Sequence, residues 1–126
     1  MTEDDGKIRV LLADDEPDIR VLLRRMLELD GRFAIVGDAK DGREAVDMSV
    51  ELKPDVVVLD LAMPVMDGLE AIPEITRQAP ETKIVVLSAF GASEMYAQAL
   101  SAGASIYLEK GEAVRALVDT LISVTS

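Results

Sequence analysis

Five short runs of β-type residues alternate with segments of helical periodicity along the chain. They are Ile8–Ala13, Phe33–Gly37, Asp55–Asp60, Lys83–Ser88 and Ser105–Glu109. The third and fourth, built around Val56-Val57-Val58-Leu59 and Ile84-Val85-Val86-Leu87, are continuously apolar rather than alternating. A strand reads that way when helices cover both faces of its sheet, which argues for parallel pairing.

The segments between supply the helices. Ile19, Leu22, Leu23, Met26 and Leu27 fall at i, i+3, i+4, i+7 and i+8, one face of a helix. Pro17 stands where a first-turn proline is tolerated. Val114, Leu117, Val118, Leu121 and Ile122 repeat the spacing near the end of the chain. Glu44–Leu52 is a weaker helix closed by Lys53-Pro54. Leu69–Gln78 is another, with Pro73 blurring its start. Glu94–Ala102 carries only a thin apolar stripe and ends at Gly103, a C-cap residue. The pattern predicts an α/β fold, (βα)₅ with right-handed crossovers and a parallel sheet. Residues 1–7 read as a disordered lead-in, and residues 8–126 as a single domain.

Composition narrows the chemistry. A chain of 126 residues buries roughly two-thirds of its unfolded surface, so one core suffices without staples. There is no cysteine and no histidine. Disulfides, thiolate metal sites, Ser-His or Cys-His nucleophile pairs and imidazole acid–base work are thereby excluded. The net charge of −11 makes nucleic acid a poor direct partner, because phosphates must be neutralised to be bound. No signal peptide is visible and no apolar stretch reaches the roughly 20 residues a bilayer needs. A cytoplasmic location is the expectation.

In open parallel sheets, ligands bind beyond the carboxyl ends of the strands. Those ends carry Asp14-Asp15-Glu16, Asp60, Ser88-Ala89 and Glu109-Lys110. Three neighbouring carboxylates cannot all stay charged unless a cation holds them or protons neutralise them. Hard oxygen ligands suit Mg²⁺, and a carboxylate beside bound Mg²⁺ can accept a phosphoryl group. Taken singly, each residue has a blander reading. Asp15 could cap the helix that begins near Pro17, Asp60 could be a loop residue, Ser88 a turn residue and Lys110 a solvated side chain.

Several further motifs carry a resemblance. Leu11-Leu12-Ala13-Asp14-Asp15-Glu16, Val57–Pro64, Met66-Asp67-Gly68, Val86-Leu87-Ser88-Ala89, Ala102-Gly103-Ala104 and Tyr107-Leu108-Glu109-Lys110 occur in order. Together they resemble the receiver domains of two-component response regulators, the CheY-like superfamily, over roughly Ile8 to Val124. The resemblance implies a three-layer, doubly wound, flavodoxin-like fold with strand order 2-1-3-4-5. It implies Asp60 as phosphoacceptor, with Mg²⁺ held by Asp14, Asp15, Asp60 and the backbone carbonyl of Ala62. Ser88 matches the switch hydroxyl, Lys110 the phosphate-pairing lysine and Tyr107 the aromatic that changes rotamer on activation. The implied donor is a sensor histidine kinase or histidine phosphotransfer protein, and an implied assembly is a homodimer through the fourth and fifth helices. Either a stand-alone receiver or the N-terminal part of a transcriptional regulator fits. Gly111 departs from the pattern, since many family members have proline after the lysine. Tyr107 reads equally well as core, and Met63 and Met66 read as packing rather than contact surface. Small Ala62 beside the acceptor leaves room for water, so a very long phosphoryl lifetime is not expected.

Two other functions are weighed against this one. A Mg²⁺-dependent phosphohydrolase working through an aspartyl phosphate would usually carry a second acid two residues after the nucleophile, where this chain has Ala62. A nucleotide- or flavin-binding domain of the same topology would need a phosphate loop, and neither G-x-G-x-x-G nor a Walker sequence is present.

Overall fold

The computed structural model describes residues 6–88 and 93–126. The expected lead-in therefore lies largely outside the described residues, as does Ala89 beyond the fourth strand. Strands β1 (Ile8–Ala13), β2 (Phe33–Ala39), β3 (Val56–Asp60), β4 (Lys83–Ser88) and β5 (Ile106–Glu109) alternate with helices. These are α1 (Pro17–Asp30), α2 (Gly42–Leu52), α3 (Gly68–Gln78), α4 (Ser93–Ala102) and α5 (Lys110–Thr125). The strands form one all-parallel sheet in the order β2-β1-β3-β4-β5. The α/β class, the (βα)₅ plan and the strand order are as the sequence implies.

Successive side chains of a strand point to opposite faces, and both faces here are covered. Val10, Leu12, Val58, Val85 and Leu87 pack with Leu23 and Leu27 of α1 and Leu117 and Leu121 of α5. Leu11, Val57, Leu59 and Val86 pack on the other side with Val46, Ala71, Ile72, Ile75 and Ala99 of α2, α3 and α4. This double burial explains the unbroken apolar runs of β3 and β4. Each fully buried Val, Leu or Ile contributes about 1.5–3 kcal/mol of transfer free energy.

Some boundaries differ from the pattern. Strand β2 continues through Asp38 and Ala39, which pair with Leu12 and Ala13; polar Asp38 hid this extension. Leu22 is 44% exposed because it sits on the flank of the stripe whose centre is Leu23 and Leu27. Helix α3 starts at Gly68 and runs through Pro73. A capping box at its start, Asp67 with Glu70, outweighs the one backbone bond that a proline removes. In α4, Ala99 is fully buried while Met95 and Leu100 are only partly covered. Gly103 follows that helix with φ 127°. The side chain of Val114 lies outside the described residues.

Candidate functional site

Parallel strands end on one edge, so the ends of β1, β3 and β5 bring Asp14, Asp60 and Lys110 to one place, with Ser88 at the end of β4 on the same edge. A bond from the Asp14 amide to the Ala39 carbonyl (3.0 Å) continues the β1–β2 ladder just past the strand. Asp14 and Asp60 are 3% and 2% exposed. Asp15 and Glu16 face solvent. Asp15 does not cap α1: the N-cap residue is Glu16, and its side chain makes no capping bond.

The segment after Asp60 is clamped at both ends. The Gly68 amide donates to the Leu61 carbonyl (2.8 Å), and a Cβ on Gly68 would lie 2.2 Å from the Asp60 carbonyl oxygen. Only a residue without Cβ lets α3 approach the peptide of Asp60 so closely. Gly42, at the start of α2, has the same relation to the Met66 carbonyl, at 1.9 Å. Met63 is buried in the core and Met66 packs against it, so both serve packing.

Lys110 reaches in from the opposite side. It is the first residue of α5, directly after β5, with Glu109 as N-cap. No loop intervenes, and Gly111 lies exposed in the first helical turn. Its Nζ lies 3.1 Å from Asp14 Oδ2, 3.0 Å from Glu16 Oε1 and 3.3 Å from Asp60 Oδ2. Backbone amides hold the remaining oxygens: Glu16 N–H donates to Asp14 Oδ1 (2.9 Å) and Ala62 N–H to Asp60 Oδ1 (3.2 Å).

One ammonium does not balance this edge. Burial, then the neighbouring Asp14 charge, pushes the Asp60 carboxyl up to about 6, against the pull of Lys110 and the Ala62 amide. Burial alone would lower the Lys110 ammonium. The Glu16 and Asp14 carboxylates beside it, with the charges of Asp60 and Asp14, outweigh that and raise it. Asp14 Oδ2 is close enough to Lys110 for ion pairing but lies off the line of a hydrogen bond, and no described residue donates to it.

Such a set fits a hard divalent cation. Carboxylate oxygens of Asp14, Asp15, Glu16 and Asp60 all lie within 4.8 Å of one another. A buried Asp14 oxygen that is ion-paired to Lys110 but lacks an aligned donor, and a raised Asp60 carboxyl, are what carboxylates show when one ammonium is shared among too many of them.

Two expected residues sit at the margin. Ser88 ends β4, half-buried and level with Glu109 of β5. Tyr107 is half-buried in β5, packed against the α2–α3–α4 core, and meets Tyr96 of α4 edge to face with centroids 5.5 Å apart. Glu16, a direct partner of Lys110, had no assigned role in the sequence. Acidic residues at a helix start are common, and nothing in the sequence marks this one as a partner of residue 110.

Comparison with known proteins agrees with this geometry. Residues 10–122 match the profile of the response regulator receiver domain. The chain belongs to that family. It is 42% identical over 102 residues to the chemotaxis protein CheY of Thermotoga maritima, covering 81% of this chain and 84% of that protein. It is 40% identical over 114 residues to the transcriptional regulatory protein LiaR of Bacillus subtilis, covering 90% of this chain and 54% of that one. This receiver domain thus spans about half the length of that regulator. It also superimposes on a CheX–CheY–BeF3–Mg²⁺ complex from Borrelia burgdorferi with a TM-score of 0.85, at 25% identity and 99% coverage of both chains. No helix among the described residues is long and apolar enough to cross a membrane.

Proposed function

We propose that Asp60 is the phosphoacceptor of a Mg²⁺-dependent signalling switch. One observation carries the reading: Asp60 is buried against Asp14 and Lys110 at the edge where four strands end. Asp14, Asp15, Asp60 and the Ala62 carbonyl would hold the cation. Bound there, Mg²⁺ would neutralise charge on the oxygens of the phosphoryl group. The Borrelia CheY complex, which holds BeF3 and Mg²⁺, supports the same assignment by analogy.

Asp60 Oδ2 faces Lys110 and Oδ1 is held by the Ala62 amide, so Oδ2 is the attacking oxygen. Its lone pair forms the new O–P bond as the donor's bond to phosphorus breaks, P–N in a phosphohistidine or P–O in a small acyl phosphate, and the leaving group keeps that electron pair. Lys110 neutralises an equatorial oxygen of the group in transit. The new dianion then recruits the Ser88 hydroxyl, and Tyr107 repacks against α4. A charge change at one carboxylate thereby biases the β4–α4–β5 region.

The donor is a sensor histidine kinase or a histidine phosphotransfer protein, and the output is a partner or effector domain. Residues 8–126 form the receiver unit after a short lead-in. The unit works in the cytoplasm and does not itself bind nucleic acid. Self-association through α4 and α5 is one output. The protein acts once per phosphorylation event rather than turning over a small molecule, and exposed Ala62 gives water access to the acyl phosphate.

Incubation with Mg²⁺ and a small acyl phosphate, read by intact mass, tests the reading. The wild-type chain gains one phosphoryl group, Asp60→Asn gains none at that site, and omission of Mg²⁺ suppresses the reaction. Gain by Asp60→Asn at the wild-type rate would refute the assignment. Steady turnover of a generic phosphate monoester would favour the phosphohydrolase alternative.

A further inference from the structure

Glu16 is the one partner of Lys110 that the phosphorylation chemistry leaves untouched. Its Oε1 accepts a hydrogen bond from Nζ at 3.0 Å, while Asp14 and Asp60 share the same ammonium from the buried side. Glu16 occupies the N-cap position of α1 and yet makes no capping bond. Its carboxylate is directed across the mouth of the pocket to a residue 94 positions away. The Glu16 side chain is 59% exposed against 4% for Asp14 and 3% for Asp60, so it flanks the site from outside.

Consider what happens to Lys110 as the site loads. A cation at the aspartates competes with the ammonium for Asp14 and Asp60. Phosphorylation then converts the Asp60 carboxylate into an ester-like carbonyl. Two of the three anions that hold Nζ are withdrawn just when the lysine must face the incoming phosphoryl oxygens. A lysine stem has four rotatable bonds, and ordering it costs up to about 2 kcal/mol. With no remaining partner, Lys110 would spend much of its time in solvent.

We propose that Glu16 is a positioning residue for phosphoryl transfer, tethering Lys110 over the pocket while Mg²⁺ and the acyl phosphate claim the aspartates. The inference rests on the phosphoacceptor reading above. Glu16 acts through the lysine; because its carboxylate also lies within 4.8 Å of those of Asp14, Asp15 and Asp60, the Mg²⁺ affinity of its variants separates this role from that of a ligand. The placement of Lys110 as the first residue of α5 suits this role, because its backbone is fixed by the helix and only the side chain needs holding.

The test compares the wild-type chain, Glu16→Gln and Glu16→Asp, each also with Lys110→Met. The readouts are Mg²⁺ affinity by calorimetry and the rate of phosphoryl gain from a small acyl phosphate at saturating Mg²⁺. Loss of one exposed charge about 5 Å from a divalent cation lowers its affinity by about five- to tenfold through the field alone. At saturating Mg²⁺, Glu16→Gln is expected to slow phosphoryl gain about five- to tenfold. Glu16→Asp recovers part of that loss. In the Lys110→Met background the Glu16 substitution has no further effect, as expected of two residues acting as one unit.

Equal rates for Glu16→Gln and wild type would overturn the proposal. So would a loss of Mg²⁺ affinity beyond about a hundredfold with the saturated rate intact, which would make Glu16 a metal ligand. An undiminished Glu16 effect without the lysine would overturn it too. If Lys110→Met does not fold, the split between Mg²⁺ affinity and saturated rate in the single variants still decides. A wild-type chain that gains no phosphoryl group at all would remove the phosphoacceptor reading and this inference together.

Discussion

The two edges of the sheet are built from the same strands and on opposite principles. At the amino edge, polar groups are matched. Arg9 Nη1 donates to the Leu52 and Lys53 carbonyls at the end of α2, each at 2.9 Å. The Arg9 amide donates to Asp55 Oδ2 (2.8 Å), and buried Thr82 Oγ1 donates to the Pro54 carbonyl (2.8 Å). At the carboxyl edge, three carboxylates share one ammonium and a buried oxygen of Asp14 has no aligned donor. The first edge holds the fold together. The second carries excess negative charge in a buried place, which costs stability until a cation arrives. The difference locates function physically: the site is where the molecule is least satisfied.

Asp60→Asn should produce the largest change in stability, and its sign is favourable. The folded carboxyl holds its proton to about pH 6, whereas an unfolded aspartate releases it near pH 3.9. Protonation therefore favours the folded state. That contribution is complete below about pH 4 and is lost as the pH rises through 6. In metal-free buffer at pH 7.5 the substitution should stabilise the protein by about 2 kcal/mol. The gain should shrink toward zero at pH 4.5. Thermal melts of both proteins across that range check it; a difference independent of pH would show that Asp60 is not electrostatically crowded.

The amino edge should respond in the opposite direction. Arg9→Met removes the donors that satisfy the end of α2 and should destabilise by about 1.5 kcal/mol at any pH between 5 and 8, seen as a lower urea midpoint. Thr82→Val leaves the Pro54 carbonyl without its hydroxyl donor and should cost about 1 kcal/mol. If either substitution stabilised the protein, the contrast between the edges would collapse. The smallest effect concerns Ser49 of α2, whose buried hydroxyl has no partner among the described residues. Ser49→Ala should stabilise by less than about 1 kcal/mol in the same urea titration, marking a local exception on the matched side.

Much of this was legible in the sequence because double burial writes itself as unbroken apolar runs. The runs at β3 and β4 gave a parallel sheet, and a parallel sheet gave one edge where Asp14, Asp15, Asp60 and Lys110 had to meet. Less legible was anything set by capping or by cross-chain pairing. The apolar run of β2 stops at Gly37 in the sequence because polar Asp38, in an edge strand, breaks it. Pro73 looked like a helix boundary because the Asp67–Glu70 box that secures α3 lies upstream of it. Glu16 looked incidental because its partner is 94 residues away, a separation that no local pattern encodes. The abrupt start of α5 at Lys110 was hidden because Gly111 is a weak helix former.

The central claim is that the carboxyl edge is a divalent-cation site completed by Asp60. Calorimetric titration of Mg²⁺ into the metal-free chain at pH 7.5 measures it most directly. One saturable site is predicted, weakened more than tenfold by Asp15→Asn and by Asp60→Asn and left intact by Thr82→Val. An absence of saturable binding to the wild-type chain, or binding indifferent to residues 15 and 60, would contradict the account.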